Sequence, residues 1–180
     1  MDDRSLPRGV ATLGGPVTVH FDGACEPARG GGLATFGFHI EGGSFLHEDC
    51  GLAVAPNSPR STNNVAEYVA AIRALEWLTA HGYSGDVRLV GDSQLVIRQM
   101  TGEYEVRAEH LKAYHHRLAQ LASRFHSVQY EWVPRESNTR ADALSKHALE
   151  EAAATRGTRA RLKRTGGSDE RLEGDPPPEP

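Results

Sequence analysis

The sequence predicts an α/β fold: a five-stranded mixed sheet whose first three strands are antiparallel, with helices on both faces. Three observations carry this. Apolar residues alternate with polar ones in the early segments, at the period of a strand. Short glycine- and proline-marked turns separate those segments, so consecutive strands pair as antiparallel neighbours. Later segments at helical period alternate with short apolar runs, which implies crossover connections and a sheet covered on both sides.

Val17, Val19 and Phe21 alternate with Thr18, His20 and Asp22 and give the first strand. Gly30-Gly-Gly leads into Leu33–Glu41, where Ala34, Phe36, Phe38 and Ile40 share a face, and Gly42-Gly43 turns into a third strand over Ser44–Val54. Pro56 and Pro59 break the chain before a helix over Asn63–His81, with Tyr68, Ile72, Leu75 and Thr79 at helical spacing and Ser61 to Asn64 as candidate N-caps. Val87–Gly91 is a short strand, and Ser93 can cap a helix over Gln94–Met100. Leu111, Tyr114, Leu118, Leu121 and Phe125 form one stripe of a helix over Arg107–Phe125. Val128, Tyr130 and Trp132 alternate as the fifth strand, Pro134 ends it, and Asn138 opens a last helix to about Ala153. Trp77 and Trp132 are expected in the core rather than as platforms for stacked bases.

A chain of 180 residues, 38% of them hydrophobic, supports one core. Residues 1–15 read as a flexible leader, 16–153 as the folded domain, and 154–180 as a disordered tail. The tail is basic first (Arg156, Arg159, Arg161, Lys163, Arg164) and acidic later, ending in Pro176-Pro-Pro-Glu-Pro180. A basic arm that helps to hold nucleic acid is the other reading of that segment. No apolar run approaches the ~18 residues a membrane helix needs, and Met1–Arg8 lacks the apolar segment of a secretory signal, so no membrane partner is expected. Cys25 and Cys50 form neither a zinc pattern nor a disulfide framework. Two reduced thiols and a cytoplasmic location are expected. The formal net charge of −4 shows no bulk attraction for a polyanion, which would have to be met locally or through bound cations.

Four acids stand out against this frame. Asp22 ends the first alternating run, Glu67 sits in Ser61-Thr-Asn-Asn-Val-Ala-Glu67, Asp92 closes Val87-Arg-Leu-Val-Gly-Asp92, and Asp142 lies in Asn138-Thr-Arg-Ala-Asp142-Ala-Leu. A carboxylate where an apolar strand runs out is costly to bury unless paired, protonated or bound to a cation. Each acid alone could open a turn, cap a helix or face solvent. If all four share a pocket they repel, and need protons or divalent ions. Oxygen ligands without Cys or His point to magnesium or manganese. Two such ions about 4 Å apart suit in-line displacement at a phosphodiester.

The surrounding motifs, in this order over about residues 16–150, resemble the type 1 ribonuclease H family: Asp22-Gly-Ala-Cys with a Gly-rich turn after it, Thr62-Asn-Asn-Val-Ala-Glu67-Tyr, Gly91-Asp92-Ser93-Gln94, and Asn138-Thr-Arg-Ala-Asp142. The resemblance implies the ribonuclease H-like fold, residues 16–153 as the catalytic domain, and Asp22, Glu67, Asp92 and Asp142 as a catalytic tetrad holding two Mg2+ or Mn2+ ions. In that scheme Asp22 bridges both ions, Asp142 helps to hold the water-activating ion, and Glu67 with Asp92 favours the leaving-group ion. The implied activity is hydrolysis of the RNA strand of RNA–DNA hybrids, leaving 5'-phosphate and 3'-hydroxyl ends. A DNA-acting nuclease or integrase of the same fold, or a non-catalytic hybrid-binding module, are the alternatives. The Thr62-Asn-Asn context and the four intact acids argue against them.

Two departures from the family pattern matter. Where many members carry a His before the last Asp, the loop reads Val133-Pro-Arg135-Glu136-Ser-Asn138, as in an archaeal-like subgroup. Arg135 is either a solvated loop charge or a phosphate contact. The second departure is the missing basic protrusion, for only Thr101-Gly-Glu-Tyr-Glu-Val-Arg107 follows Met100. Affinity should therefore be modest and salt-sensitive. Cys25, Asn63, Asn64 and Gln94 match family positions facing the minor groove, where 2'-hydroxyls are read, and Thr62 a phosphate contact on the DNA strand. Capping of the helix is the other role open to Asn63 and Asn64. The expected partner is an RNA–DNA duplex, with weak manganese-supported cutting of double-stranded RNA, by a monomer.

Overall fold

The alternation at Val17, Val19 and Phe21 does place three fully buried side chains on one face of a central strand. The computed structural model describes residues 15–27 and 31–165, the side chains of 157–165 excepted. The expected leader (residues 1–15) apart from Gly15, residues 28–30 and the end of the tail (166–180) lie outside the described residues.

The order of elements is β1 (Val17–Glu26), β2 (Leu33–Gly42), β3 (Phe45–Leu52), α1 (Asn63–Ala80), β4 (Asp86–Gly91), α2 (Gln94–Met100), α3 (Glu109–Ala122), β5 (Ser127–Trp132), a 3-10 turn (Arg135–Ser137) and α4 (Thr139–Thr165). The five strands form one sheet in the order β3-β2-β1-β4-β5. β1 to β3 are antiparallel, and β4 pairs parallel with both β1 and β5.

The two faces are covered differently. α1 packs on β1 and α3 packs on α1, so that Tyr68, Leu75, Leu78, Ile97, Leu111, Leu118 and Leu121 join Val17, Val19 and Phe21 in one buried cluster. α4 covers the opposite face through the small buried residues Ala141, Ser145 and Ala148, at spacings of four and three. Small residues let its backbone lie close to the sheet. Two glycines show how close. A Cβ on Gly23 would stand 2.3 Å from the backbone N of Glu67 in α1, and one on Gly37 would stand 2.4 Å from that of Ser145 in α4.

Several boundaries differ from expectation. β1 does not stop at Asp22. It runs on to Glu26 because β2 keeps pairing with it, Asp22 opposite Gly37 and Glu26 opposite Leu33. Its pairing with β4 does stop, at Phe21 opposite Gly91. Asp22 therefore stands where the sheet opens on one side, not where its own strand ends. α4 continues twelve residues past the expected stop at Ala153, so the boundary at 153/154 falls inside a helix, and the segment expected to be disordered is helical to Thr165. Residues 154–165 carry Ala, Arg, Lys and Leu, which favour helix, beside Gly157 and three Thr, which do not. Trp132 is not in the core. It is 43% exposed, while Trp77 is partly buried between the rings of His47 and His81. Among the described residues no helix is long and apolar enough to cross a membrane.

Candidate active site

Three of the four acids meet where β1 and β4 stop pairing, at the carboxyl end of β4, the end of a mixed sheet where ligands commonly bind. Asp22 lies on the α4 face of β1. Glu67, in the second turn of α1, is brought to it by the close seating of that helix on Gly23. Asp92 follows the last residue of β4, and Ser93 starts α2 by accepting a hydrogen bond from the Val96 N–H. Since β4 has ended there, no strand separates the two faces. One oxygen from each of Asp22, Glu67 and Asp92 lies within 4.8 Å of the others.

The electrostatics are those of a site short of positive charge. Burial pushes the Asp22 carboxyl up to about 6, the Ser145 hydrogen bond pulls it down, and the charges of Asp92 and Asp142 add to the rise. Burial raises Glu67 well above the carboxylate range, and Asp22 and Asp92 push it further. Asn63 donates to Glu67 Oε1 at 3.4 Å, but Glu67 Oε2 is buried with no hydrogen-bond partner. A buried acceptor without a donor is expensive unless something else satisfies it.

Asp142 stands apart from this trio. Its Oδ1 accepts from Arg135 Nε at 2.9 Å and Nη2 at 2.5 Å, and its Oδ2 from Lys146 Nζ at 2.7 Å. Burial pushes this carboxyl up, but the hydrogen bonds from Lys146 and Arg135 outweigh burial and hold it below its ordinary value. Arg135 is thus a partner of Asp142, and its charge is also felt by Asp22 and Glu67.

The other expected residues lie at the start of α1, at the start of α2 and near the end of β1. Thr62 caps α1 by accepting from the Val65 N–H, and exposed Asn63 reaches back to Glu67. Asn64 lines a shallow groove with Leu95, Gln99 and Tyr104, and Gln94 is exposed at the start of α2. Cys25 is buried. Its thiol donates toward the carbonyls of Ser61 (3.1 Å) and Pro27 (3.3 Å), which ties the end of β1 to the segment carrying Thr62, Asn63 and Asn64.

Three further residues contribute to the site that the motifs alone do not assign to it. Asn138, 1% exposed, donates through Nδ2 to the carbonyl of Phe21 (2.9 Å) and to Asp92 Oδ1 (3.3 Å). It thus bonds the last β1 residue in register with β4. Ser145 donates to Asp22 Oδ2, and Trp132 Nε1 donates to the Asp92 carbonyl at 3.0 Å. Ser145 follows Asp142 by three residues on the buried face of α4, which is the signal that could have found it. Trp132 carries none, since an alternating strand reads as core on either face.

A β3-β2-β1-β4-β5 sheet flanked by α1 to α3 and by α4, with acids gathered at its parallel end, defines the ribonuclease H-like class of fold. A family model described as reverse transcriptase-like matches residues 46–148. The ribonuclease HI of Halobacterium salinarum is 39% identical over 142 residues, covering 77% of this chain and 67% of its own. A bifunctional protein of Mycobacterium tuberculosis is 40% identical over 94 residues, 52% of this chain but only 26% of that protein. The solved N-terminal ribonuclease H domain of the latter, fused to maltose-binding protein, superposes with a TM-score of 0.68 at 33% identity, covering 78% of this chain and 97% of that one. LC11 ribonuclease H1, isolated from compost by a metagenomic approach and solved in complex with RNA/DNA hybrid, superposes at 0.67 with 32% identity, covering 76% and 99%. The chain belongs to the type 1 ribonuclease H family.

Proposed function

We propose that this protein hydrolyses the RNA strand of RNA–DNA hybrids at the pocket of Asp22, Glu67 and Asp92, with Asp142 and Arg135 at its rim. The observation that carries this is the three-carboxylate cluster at the open end of β1 and β4, in a chain whose relatives include a ribonuclease H1 solved with such a hybrid.

The residues fit a divalent cation. The donors are all oxygens, Glu67 Oε2 is buried without a partner, and Asp22 and Glu67 are both pushed toward their neutral forms. Hard ions such as Mg2+ or Mn2+ match that donor set. The reading includes two ions, held by Asp22, Glu67 and Asp92 with Asp142 contributing to the second. When bound, they supply neutralising charge and Lewis acidity toward a phosphodiester oxygen.

The chain's own groups do the rest. Asn63 and Asn64 at the start of α1 and Gln94 at the start of α2 offer amides suited to the 2'-hydroxyls of a wide minor groove. Thr62 and the start of α1 present donors to a phosphate. Arg135 keeps Asp142 ionised and offers a guanidinium to a non-bridging phosphate oxygen. Such a site leaves 5'-phosphate and 3'-hydroxyl ends. Weak manganese-supported cutting of double-stranded RNA, a monomeric enzyme and a cytoplasmic location belong to the same proposal. The test is incubation of end-labelled hybrid, double-stranded RNA and double-stranded DNA with and without Mg2+. Magnesium-dependent cutting of the RNA strand of the hybrid is expected, and hybrid bound but left intact would make the protein a binding module instead.

A further inference from the structure

A carboxylate that must hold a cation is useful only in one orientation, and Asp22 sits on a strand with one side open. We infer that Ser145 is a positioning residue for Asp22: its buried hydroxyl fixes the orientation in which Asp22 presents an oxygen beside those of Glu67 and Asp92. The inference rests on the reading that these three acids hold a divalent ion.

Ser145 is an odd choice for its place. It is fully buried on the face of α4 where its neighbours are Ala141 and Ala148, and alanine is the better helix former. A buried hydroxyl is unfavourable unless it is hydrogen-bonded. Two acceptors are within reach, Asp22 Oδ2 and the Asp142 carbonyl at 3.0 Å. The hydroxyl has one hydrogen, and an ionised carboxylate is the stronger acceptor, so the hydrogen goes to Asp22. Among the described residues Ser145 is the only side chain hydrogen-bonded to Asp22.

Ser145 is itself held on the sheet side. Its backbone N lies 2.4 Å from where a Cβ of Gly37 would be, and Gly37 is the register partner of Asp22. Its carbonyl accepts a 2.8 Å hydrogen bond from buried Thr35 Oγ1. The donor therefore cannot follow Asp22 if the carboxylate turns, so the carboxylate is what is held. Hydrogen bonds of this kind to metal ligands affect affinity strongly, commonly by a factor of about 10 or more.

The experiment compares the full-length protein with Ser145→Ala and Thr35→Val. Mg2+ binding is read by isothermal titration without nucleic acid, and melting is followed in chelator. The expected result for Ser145→Ala is Mg2+ affinity lower by about 10-fold, with a chelated melting temperature within about 3 °C of the parent. Hybrid turnover should fall at limiting Mg2+ and recover as Mg2+ is raised, with KM for hybrid unchanged. Thr35→Val should lower the melting temperature and change Mg2+ affinity less than Ser145→Ala does, because the seating of α4 on Gly37 still holds Ser145. Parental Mg2+ affinity in Ser145→Ala would overturn the inference. So would parallel losses of melting temperature and affinity in both variants, the mark of packing alone. A parent protein that binds no Mg2+ would overturn the metal reading of the site as well, which separates the two failures.

Discussion

Asp22 shows what one residue is asked to do. It is 2% exposed, beside two other carboxylates, with one hydroxyl to satisfy it. Asp22→Asn should remove nearly all hybrid cleavage while the protein stays folded, because a ligand is lost rather than packing; near-parental turnover would contradict the assignment. The same residue sets a pH dependence. Its folded value of about 6 lies above the ordinary 3.8, so folding favours the protonated form. The stability this gives is fully present below pH 3.8 and is lost as pH rises through about 6. In chelator, Asp22→Asn should match the parent near pH 4 and exceed it at pH 7 by up to about 3 kcal/mol, measured by denaturant unfolding at both pH values. A parent as stable as Asp22→Asn at pH 7 would mean that Asp22 carries no such strain. Asp22, Glu67 and Asp92, the three acids that meet, each stand in a local motif that the sequence shows. Their partners are not legible in that way: Ser145 and Asn138 act across the fold on Asp22, Phe21 and Asp92, over more than 40 residues of sequence.

At the scale of elements, the site exists because two helices press on a sheet at one level. Gly23 admits α1 and Gly37 admits α4. Gly23→Ala would drive a methyl into the Glu67 backbone and Gly37→Ala into that of Ser145, each destabilising by about 1–3 kcal/mol. Both should lower cleavage more than this loss of stability explains, by moving Glu67 or Ser145 relative to Asp22. The readouts are melting temperature and turnover at a temperature where the variant is fully folded; unchanged turnover there would separate helix seating from the site. Strand and helix identities followed from periodicity. The reach of β1 past Asp22 did not, since Gly23-Ala-Cys has no alternation and its pairing is supplied by β2. The length of α4 was missed for a related reason. Residues 154–165 show no apolar stripe in sequence, and their basic composition reads as a tail.

For the whole molecule, charge and topology set what can be bound. With a net charge of −4 and a short, non-basic α2–α3 connection, the proposed duplex binding would draw on the cations at the pocket rim and on those of residues 156–164. Truncation after Ala153 should weaken hybrid binding and flatten its dependence on salt, with little change in turnover at saturating substrate. An unchanged salt slope would exclude that segment from the interface. The proposed function is cutting of RNA paired to DNA, with double-stranded DNA left intact. It is tested most directly by initial rates on sequence-matched hybrid and double-stranded DNA in one Mg2+ buffer, with Asp22→Asn alongside. The expected result is rapid cutting of the hybrid's RNA strand, no cutting of double-stranded DNA, and neither by Asp22→Asn. Double-stranded DNA cut as fast as hybrid would contradict the account.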